Sequence, residues 1–409
     1  MGIRRRIPPG TTPGPILLAL AVGTAITACA TDPPAGEPTR ETLPNGALLV
    51  RYPGLPAIDS VDPDVIEARV DLRFGSREGD DPNFLFGDVR GIQAASDGTI
   101  YVLDYQAVEV RAYGPDGGFL RTVARRGEGP GEISEANGIF LSGDTLLWVH
   151  DYGQVRIIGV DPAGEEVRRF TKPIFSYGYI WDGTFDRHGR YWRRVEYSTD
   201  DNQEIDTGPI EGREHEYYKS YDLSTEEVDS VYLGESTYRV YVSPRAGYQV
   251  PFSASDIHVV SPSGGFWHVN TGSYRLTRTG EGGDTLTVIE ASLPNIPVTS
   301  EDRSAYVQGI VEREPEERRA AEAVAAMMPD FKPILEDLFV DDEDRLWVER
   351  AVPAGTPPFY DLFSEDGDRV GAVRFTFEPG YRFWVRHGNI YTRIVDELGV
   401  QYVARAPVS

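Results

Sequence analysis

The chain has 409 residues, with 40 Lys and Arg against 65 Asp and Glu, a formal charge of −25 at neutral pH. So acidic a body excludes a nucleic-acid groove, whose phosphates require a basic surface, and no basic patch along the chain offsets the excess. One cysteine leaves no partner for dithiol redox work, while 40% hydrophobic residues suffice for a large core.

Residues 1–28 have the layout of a signal peptide: Arg4, Arg5 and Arg6 start it, and residues 16–26 form an apolar run too short to span a bilayer. Small residues then precede the cysteine. Ile26-Thr27-Ala28-Cys29 resembles a bacterial lipobox. The resemblance implies cleavage before Cys29 and acylation of its thiol and its new amine. With about 0.8 kcal/mol per buried CH₂, more than one acyl chain anchors a protein to a membrane surface without crossing it. Ala30, in place of an aspartate, implies the outer membrane of a Gram-negative cell envelope. Residues 29–66 are expected to be a tether and N-terminal extension. Proline and small polar residues fill 30–42, and residues 43–52 carry an Asn-Gly turn and a short strand expected to pack as an extension.

From Gly91 the chain repeats a unit of four short apolar runs cut by turns, Ser96-Asp97-Gly98 and Pro115-Asp116-Gly117-Gly118 in the first copy. Its second strand is marked by a turn, an apolar residue and an aromatic one. That mark falls at Tyr101, Trp148, Trp192, Trp267, Trp347 and Tyr391. Most of the spacings lie near a blade period of roughly 40–45 residues. Four-stranded sheets that bury their faces on their neighbours make a β-propeller. The expected fold is all-β: a six-bladed β-propeller of four-stranded antiparallel blades over 67–405, with a helical insertion at about 300–328 between blades four and five. The last repeat offers three strand candidates, so residues 70–74 are expected to supply its outer strand and close the ring.

These repeats, the linker Gly127-Glu128-Gly129-Pro130-Gly131-Glu132 and Met328-Pro329-Asp330-Phe331-Lys332-Pro333 resemble the NHL-like propeller proteins common among bacterial envelope lipoproteins. The resemblance implies a fold and not a reaction.

The turns joining strands one to two and three to four are short. Residues 198–216, 234–256 and 296–333 are expected as long loops on the opposite face, where a site would sit over the central channel. Of the histidines, His150, His258 and His268 fall on strands, but no metal-binding spacing links them. Asp104, Asp151 and Asn270 follow the second strand in three repeats. Arg125 and Arg126 precede the glycine-rich linker, where they could meet an anionic ligand. The linker lacks the Lys-Ser/Thr of a phosphate loop, and no nucleophile elbow is present.

The reading is a membrane-anchored binding or interaction module, without a catalytic residue or cofactor, for a protein, peptide or small-molecule ligand. The alternative is an NHL-type lyase, lactonase or other hydrolase dependent on Ca or Zn. His150, His258 and His268, with the Asp104, Asp151 and Asn270 positions, are that alternative's candidate metal ligands, whereas Arg125, Arg126, Asp104, Asp151 and Asn270 are the candidate ligand contacts of the binding reading.

Overall fold

The computed structural model describes residues 36–79, 81–171, 183–198, 207–353, 355–380 and 382–408. The signal-peptide, lipobox and Cys29 expectations lie outside these residues.

Among the described residues the strands form six sheets. Sheet one comprises Val89–Ala94, Ile100–Asp104, Glu109–Tyr113 and Phe119–Ala124 in sequential antiparallel order. Sheet two repeats that order with Ala136–Ser142, Leu146–Asp151, Arg156–Val160 and Glu166–Phe170. Sheet three is Thr184–Phe185, Arg190–Ser198, Gly208–Asp222, Val228–Val242 and Gly247–Gln249. Sheet four starts with Asp256–Val260, Phe266–Asn270, Arg275–Thr279 and Thr285–Ala291. Sheet five starts with Leu335–Val340, Leu346–Arg350, Phe359–Phe363 and Arg369–Phe375. Sheet six holds Phe383–Arg386, Asn389–Val395 and Gln401–Pro407.

Apolar clusters join these sheets in a cycle. Leu103 and Val110 meet Ile139 and Leu147 between sheets one and two. Trp148 and Phe170 meet Phe185 and Tyr191 between two and three. Trp192 and Tyr218 meet Val260 and Phe266, Val269 and Leu276 meet Leu338 and Leu346, and Trp347 and Tyr360 meet Val385 and Ile390. Tyr391 and Val403 of sheet six then return to Ile92 and Val102 of sheet one. Sheets one and two thus bury both faces, which is why their middle strands are apolar almost throughout. The architecture is a β-propeller.

The N-terminal segment runs along the rim. Leu48–Tyr52 pairs in parallel with Thr285–Ala291 of sheet four, and Thr39–Thr42 adds a sixth strand there. The segment expected as a packing extension is therefore part of a sheet, because its alternating Leu49, Val50 and Tyr52 fit the pleat and bury there. Val65–Ala68 adds in parallel to sheet five. Leu72–Phe74 then pairs antiparallel with Gln401–Pro407 as the outer strand of sheet six, so strands from both ends of the chain share one sheet.

Two helices, α1 (Ser300–Arg313) and α2 (Arg318–Met327), lie between the last sheet-four strand and the first of sheet five. Thr299 caps α1 in a reciprocal box with Asp302. Tyr306, Ile310, Ala321 and Val324 bury against Val250, Tyr241 and Tyr248. The helices thus pack against the outer end of the long sheet-three strands.

Candidate functional site

Sheets three and four pack together at Trp192, Tyr218, Val260 and Phe266, and beside that contact a group of titratable side chains meets. Antiparallel register places Asp256 opposite Asn270, and His258 opposite His268, on the first two strands of sheet four. Cross-strand partners project to the same face, and the two imidazoles stack with centroids 4.3 Å apart and an interplanar angle of 17°. The facing strand of sheet three supplies Glu216. Its register with Val195–Tyr197 also brings Arg194 and Glu196 alongside.

His258 Nδ1 donates to Glu216 Oε2 at 3.1 Å, and His268 Nε2 donates to Asp256 Oδ1 at 3.1 Å. Asn270 Nδ2 donates to the same Asp256 oxygen at 3.3 Å. Arg194 Nη2 reaches Glu216 Oε1 at 3.2 Å and also pairs with Glu196. The Tyr218 hydroxyl donates to the His258 carbonyl at 2.7 Å and ties the two sheets together.

Burial lowers the His258 pKa below the ordinary imidazole value, and the neighbouring His268 adds to the effect while the Glu216 bond opposes it. Burial pushes the Glu216 carboxyl up, but the His258 bond and Arg194 outweigh it and leave the group below its ordinary value. The His268 bond, above all, lowers Asp256. The stable arrangement at neutral pH is therefore neutral His258 on an ionised Glu216. Each carboxylate fixes one ring nitrogen as the N–H tautomer, leaving His258 Nε2 and His268 Nδ1 as the acceptor nitrogens. A pair so oriented can move a proton or hold a polar ligand group. As a metal site it is incomplete: among the described residues no three histidine, cysteine or carboxylate side chains are placed to hold an ion.

Of the residues singled out from sequence, His258, His268 and Asn270 come together here, and the others do not. His150 is buried on sheet two with Nδ1 2.6 Å from Asn137 Oδ1. Asp104 accepts backbone N–H groups from Gly87, Asp88, Gln106 and Ala107. Asp151 accepts from the Ser134 and Glu135 backbones, the Ser134 hydroxyl and Arg156 Nε. Both carboxylates are buried and give their oxygens to their own loops and to Arg156. Arg125 pairs with Glu132 at 3.4 Å and is exposed, as is Arg126. The linker after them closes on itself, with Glu132 Oε2 accepting from the Gly129 backbone and Glu166 Oε2 from that of Gly131.

Sequence reasoning missed Glu216, Asp256 and Arg194. Residues 198–216 were expected as a loop, yet 208–216 continue a strand. Gly208–Asp222 and Val228–Val242, of 15 residues each, pair along nearly their whole length and form a ribbon about 50 Å long at roughly 3.3 Å per residue. The expected loop at 234–256 likewise contains ribbon strand to Val242 and the short strand Gly247–Gln249. No period-two signal marked it: over 214–222 Tyr217 and Tyr218 are adjacent, as are Lys219 and Ser220, so polar and aromatic residues do not alternate. Tyrosines line the ribbon. Tyr197, Tyr217 and Tyr232 form a chain of ring contacts with centroids 5.7 and 5.1 Å apart, and Tyr197 and Tyr232 are 49% and 52% exposed. Glu211, Arg213, Glu235 and Arg239 add cross-strand ion pairs.

No family model matches the chain, and no curated protein does. Among solved structures, a Bacteroides fragilis protein classed as exported is similar at 12% identity and a TM-score of 0.45, covering 84% of this chain and 95% of that one. A DUF4221 family member from Bacteroides vulgatus is similar at 11% identity and a TM-score of 0.46, covering 84% and 98%. Virginiamycin B lyase from Staphylococcus aureus is similar at 12% identity and a TM-score of 0.35, covering 78% and 84%.

Proposed function

We propose that this chain is an envelope lipoprotein, anchored through Cys29 to the outer membrane, whose six sheets act as the six blades of an NHL-like propeller presenting a binding surface. The observation that carries the binding reading is the tyrosine-lined ribbon of sheet three. Its two strands run well beyond the five- to seven-residue strands of sheet two. Exposed tyrosines supply large contact area at little conformational cost, and with arginine they are the side chains enriched where proteins bind proteins. Helices α1 and α2 pack against Tyr241, Tyr248 and Val250 at the outer end of the ribbon, so the surface is held at both ends. The partner it fits is a protein or peptide.

A photo-crosslinking side chain at Tyr232, compared with one at Leu120 on the outer strand of sheet one, tests this in producing cells. A discrete adduct confined to the Tyr232 position is expected, and equal adducts from both positions defeat the reading. The anchor has its own test. C29A should shift the protein from the membrane to the soluble envelope fraction, and unchanged membrane retention overturns lipid attachment.

The second reading, a propeller lyase or hydrolase dependent on Ca or Zn, is favoured by the carboxylate-backed pair His258 and His268. Histidines that ligate metal commonly give their other N–H to a carboxylate. The pair contributes two nitrogens at most, so a metal would need further ligands from its substrate or from water. Metal analysis of purified protein decides: stoichiometric zinc or calcium lost in H258Q/H268Q supports this reading, and none in the wild type removes it.

A further inference from the structure

Arg386 closes the first strand of sheet six, immediately before the turn at His387 and Gly388. Its guanidinium carbon lies 5.0 Å from the centroid of Phe140, which belongs to the first strand of sheet two. Sheets six and two are not neighbours, because sheet one stands between them. A side chain of one can rest on a ring of the other only across the central channel. Arg386 therefore occupies the channel.

Its partners are neutral. Nε donates to Gln93 Oε1 at 3.1 Å, and Nη1 donates to the Val385 carbonyl at 3.4 Å. Gln93 is 1% exposed and locked in turn, its oxygen accepting from the Leu141 backbone and its amide donating to the Ile92 carbonyl. A guanidinium has five N–H donors, and these two bonds leave 5 − 2 = 3 without an acceptor among the described residues. Asp341 and Asp342 are near enough for their charges to favour the cation, but neither forms an ion pair with it. The Asp341 carboxylate is taken by the Glu343 and Arg345 backbones, Arg345 Nε and Trp347 Nε1. Asp342 Oδ2 accepts from the His387 backbone, while its buried Oδ1 has no hydrogen-bond partner among the described residues and Asp342 supplies the larger of the two favourable charges on Arg386. Burial pushes the Arg386 guanidinium below its ordinary value, the mark of a cation short of compensating charge.

We propose that Arg386 is the anchor of an oxyanion-binding site at the floor of the central channel, taking the carboxylate or phosphate group of a small molecule. Gln93 holds the Nε edge, and Phe140 supports the flat face through a cation–π contact. The Nη edge is left as the fork that grips two oxygens of one anion. The floor is closed by the turns beneath it. His387 lies 3.6 Å from Asp342 and 3.9 Å from Asp144, and Asp144 in turn accepts from the Ser96 backbone. The ligand therefore enters from the opposite mouth. This site is separate from the tyrosine ribbon and does not depend on it.

The test is calorimetric titration of the full-length protein in detergent with inorganic phosphate and, separately, with succinate, each against chloride at equal ionic strength. Saturable binding of at least one oxyanion is expected, and which one binds assigns the group as phosphate or carboxylate. R386Q should weaken it about tenfold or more, the scale of a charged hydrogen-bonded pair. R386K should bind at an intermediate strength, and R77Q, at an exposed arginine on the outer-strand side of sheet six, should match the wild type. No saturable binding, or R386Q within twofold of wild type, overturns the proposal. If R386Q fails to fold, phenylglyoxal labelling of wild-type Arg386 decides, since protection by the oxyanion supports the site and equal labelling with and without it overturns it.

Discussion

Sheets one and two, set beside sheets three and four, show how one repeat serves two ends. In sheets one and two the strands are five to seven residues long, and the carboxylates following the second strand, Asp104 and Asp151, give their oxygens to adjacent backbone and arginine. In sheets three and four the ribbon strands are three times the shortest of those, and polar residues beside the contact between the two sheets pair with one another across it. Side chains absorbed by a turn stabilise a blade, whereas side chains bonded mainly to other side chains retain free nitrogens for chemistry.

The sharpest way to break this comparison is D151A. It strands Arg156 and three donors in a site where the two side chains are 0% and 4% exposed. Removing one partner of a buried pair costs about 3–5 kcal/mol, read as a lowered urea midpoint, and a loss under about 1 kcal/mol would show that the regular half holds spare polar capacity after all. F74A comes next. Phe74 lies 4.7 Å from Tyr113 and 6.1 Å from Phe86 at the seam between sheets six and one. Its truncation costs about 3 kcal/mol by cavity formation, and an unchanged midpoint would mean the seam does not hold the ring.

The smallest effect is a pH dependence around His258. The unfolded chain protonates His258 near 6.5, while the folded chain resists until lower pH because burial, chiefly, depresses the value. Above about 6.5 this group contributes no slope; below it the unfolded state binds more protons and stability falls. The groups facing it are Glu216, Arg194, His268 and, through His268, Asp256. Urea midpoints of wild type and H258Q at pH 7.5, 6 and 5 should therefore converge toward acid. A constant gap would place His258 outside the titrating set. Further acidification, past the ordinary carboxylate range near 4, removes what Glu216 and Asp256 contribute, since both are lowered in the folded state.

The repeat was legible because each second strand announces itself with a buried aromatic. Tyr101, Trp148, Trp192, Trp267, Trp347 and Tyr391 all lie on the second strand of a sheet and are at most 5% exposed. The outer strand of sheet six was legible from a shortage of strands in the last repeat. The ribbon was not, because Gly208–Glu216 carries charge on both faces and has no burial requirement, so its strand character comes from its partner and not from a core. The parallel additions at Leu48–Tyr52 and Val65–Ala68 escaped for another reason: a local pattern can name a strand without naming a partner hundreds of residues away. Where sheets three and four meet, the histidines stood out by type. Their carboxylates did not, since acids are abundant in this sequence and only tertiary pairing distinguishes Glu216 and Asp256 from the rest.

The rim-running N-terminal segment imposes an order on biogenesis. The earliest strands synthesised wait longest, Leu48–Tyr52 for Thr285–Ala291, Val65–Ala68 for Arg369–Phe375 and Leu72–Phe74 for Gln401–Pro407. Leu48–Tyr52 finds its mate first, while Val65–Ala68 and above all Leu72–Phe74 have none until the last strands emerge, and loop-closure entropy delays their docking. A product ending before Gln401 would thus leave the edge of Leu72–Phe74 bare and open to proteolysis, so the pairing of early strands with late ones ties exposure of that edge to synthesis of sheet six.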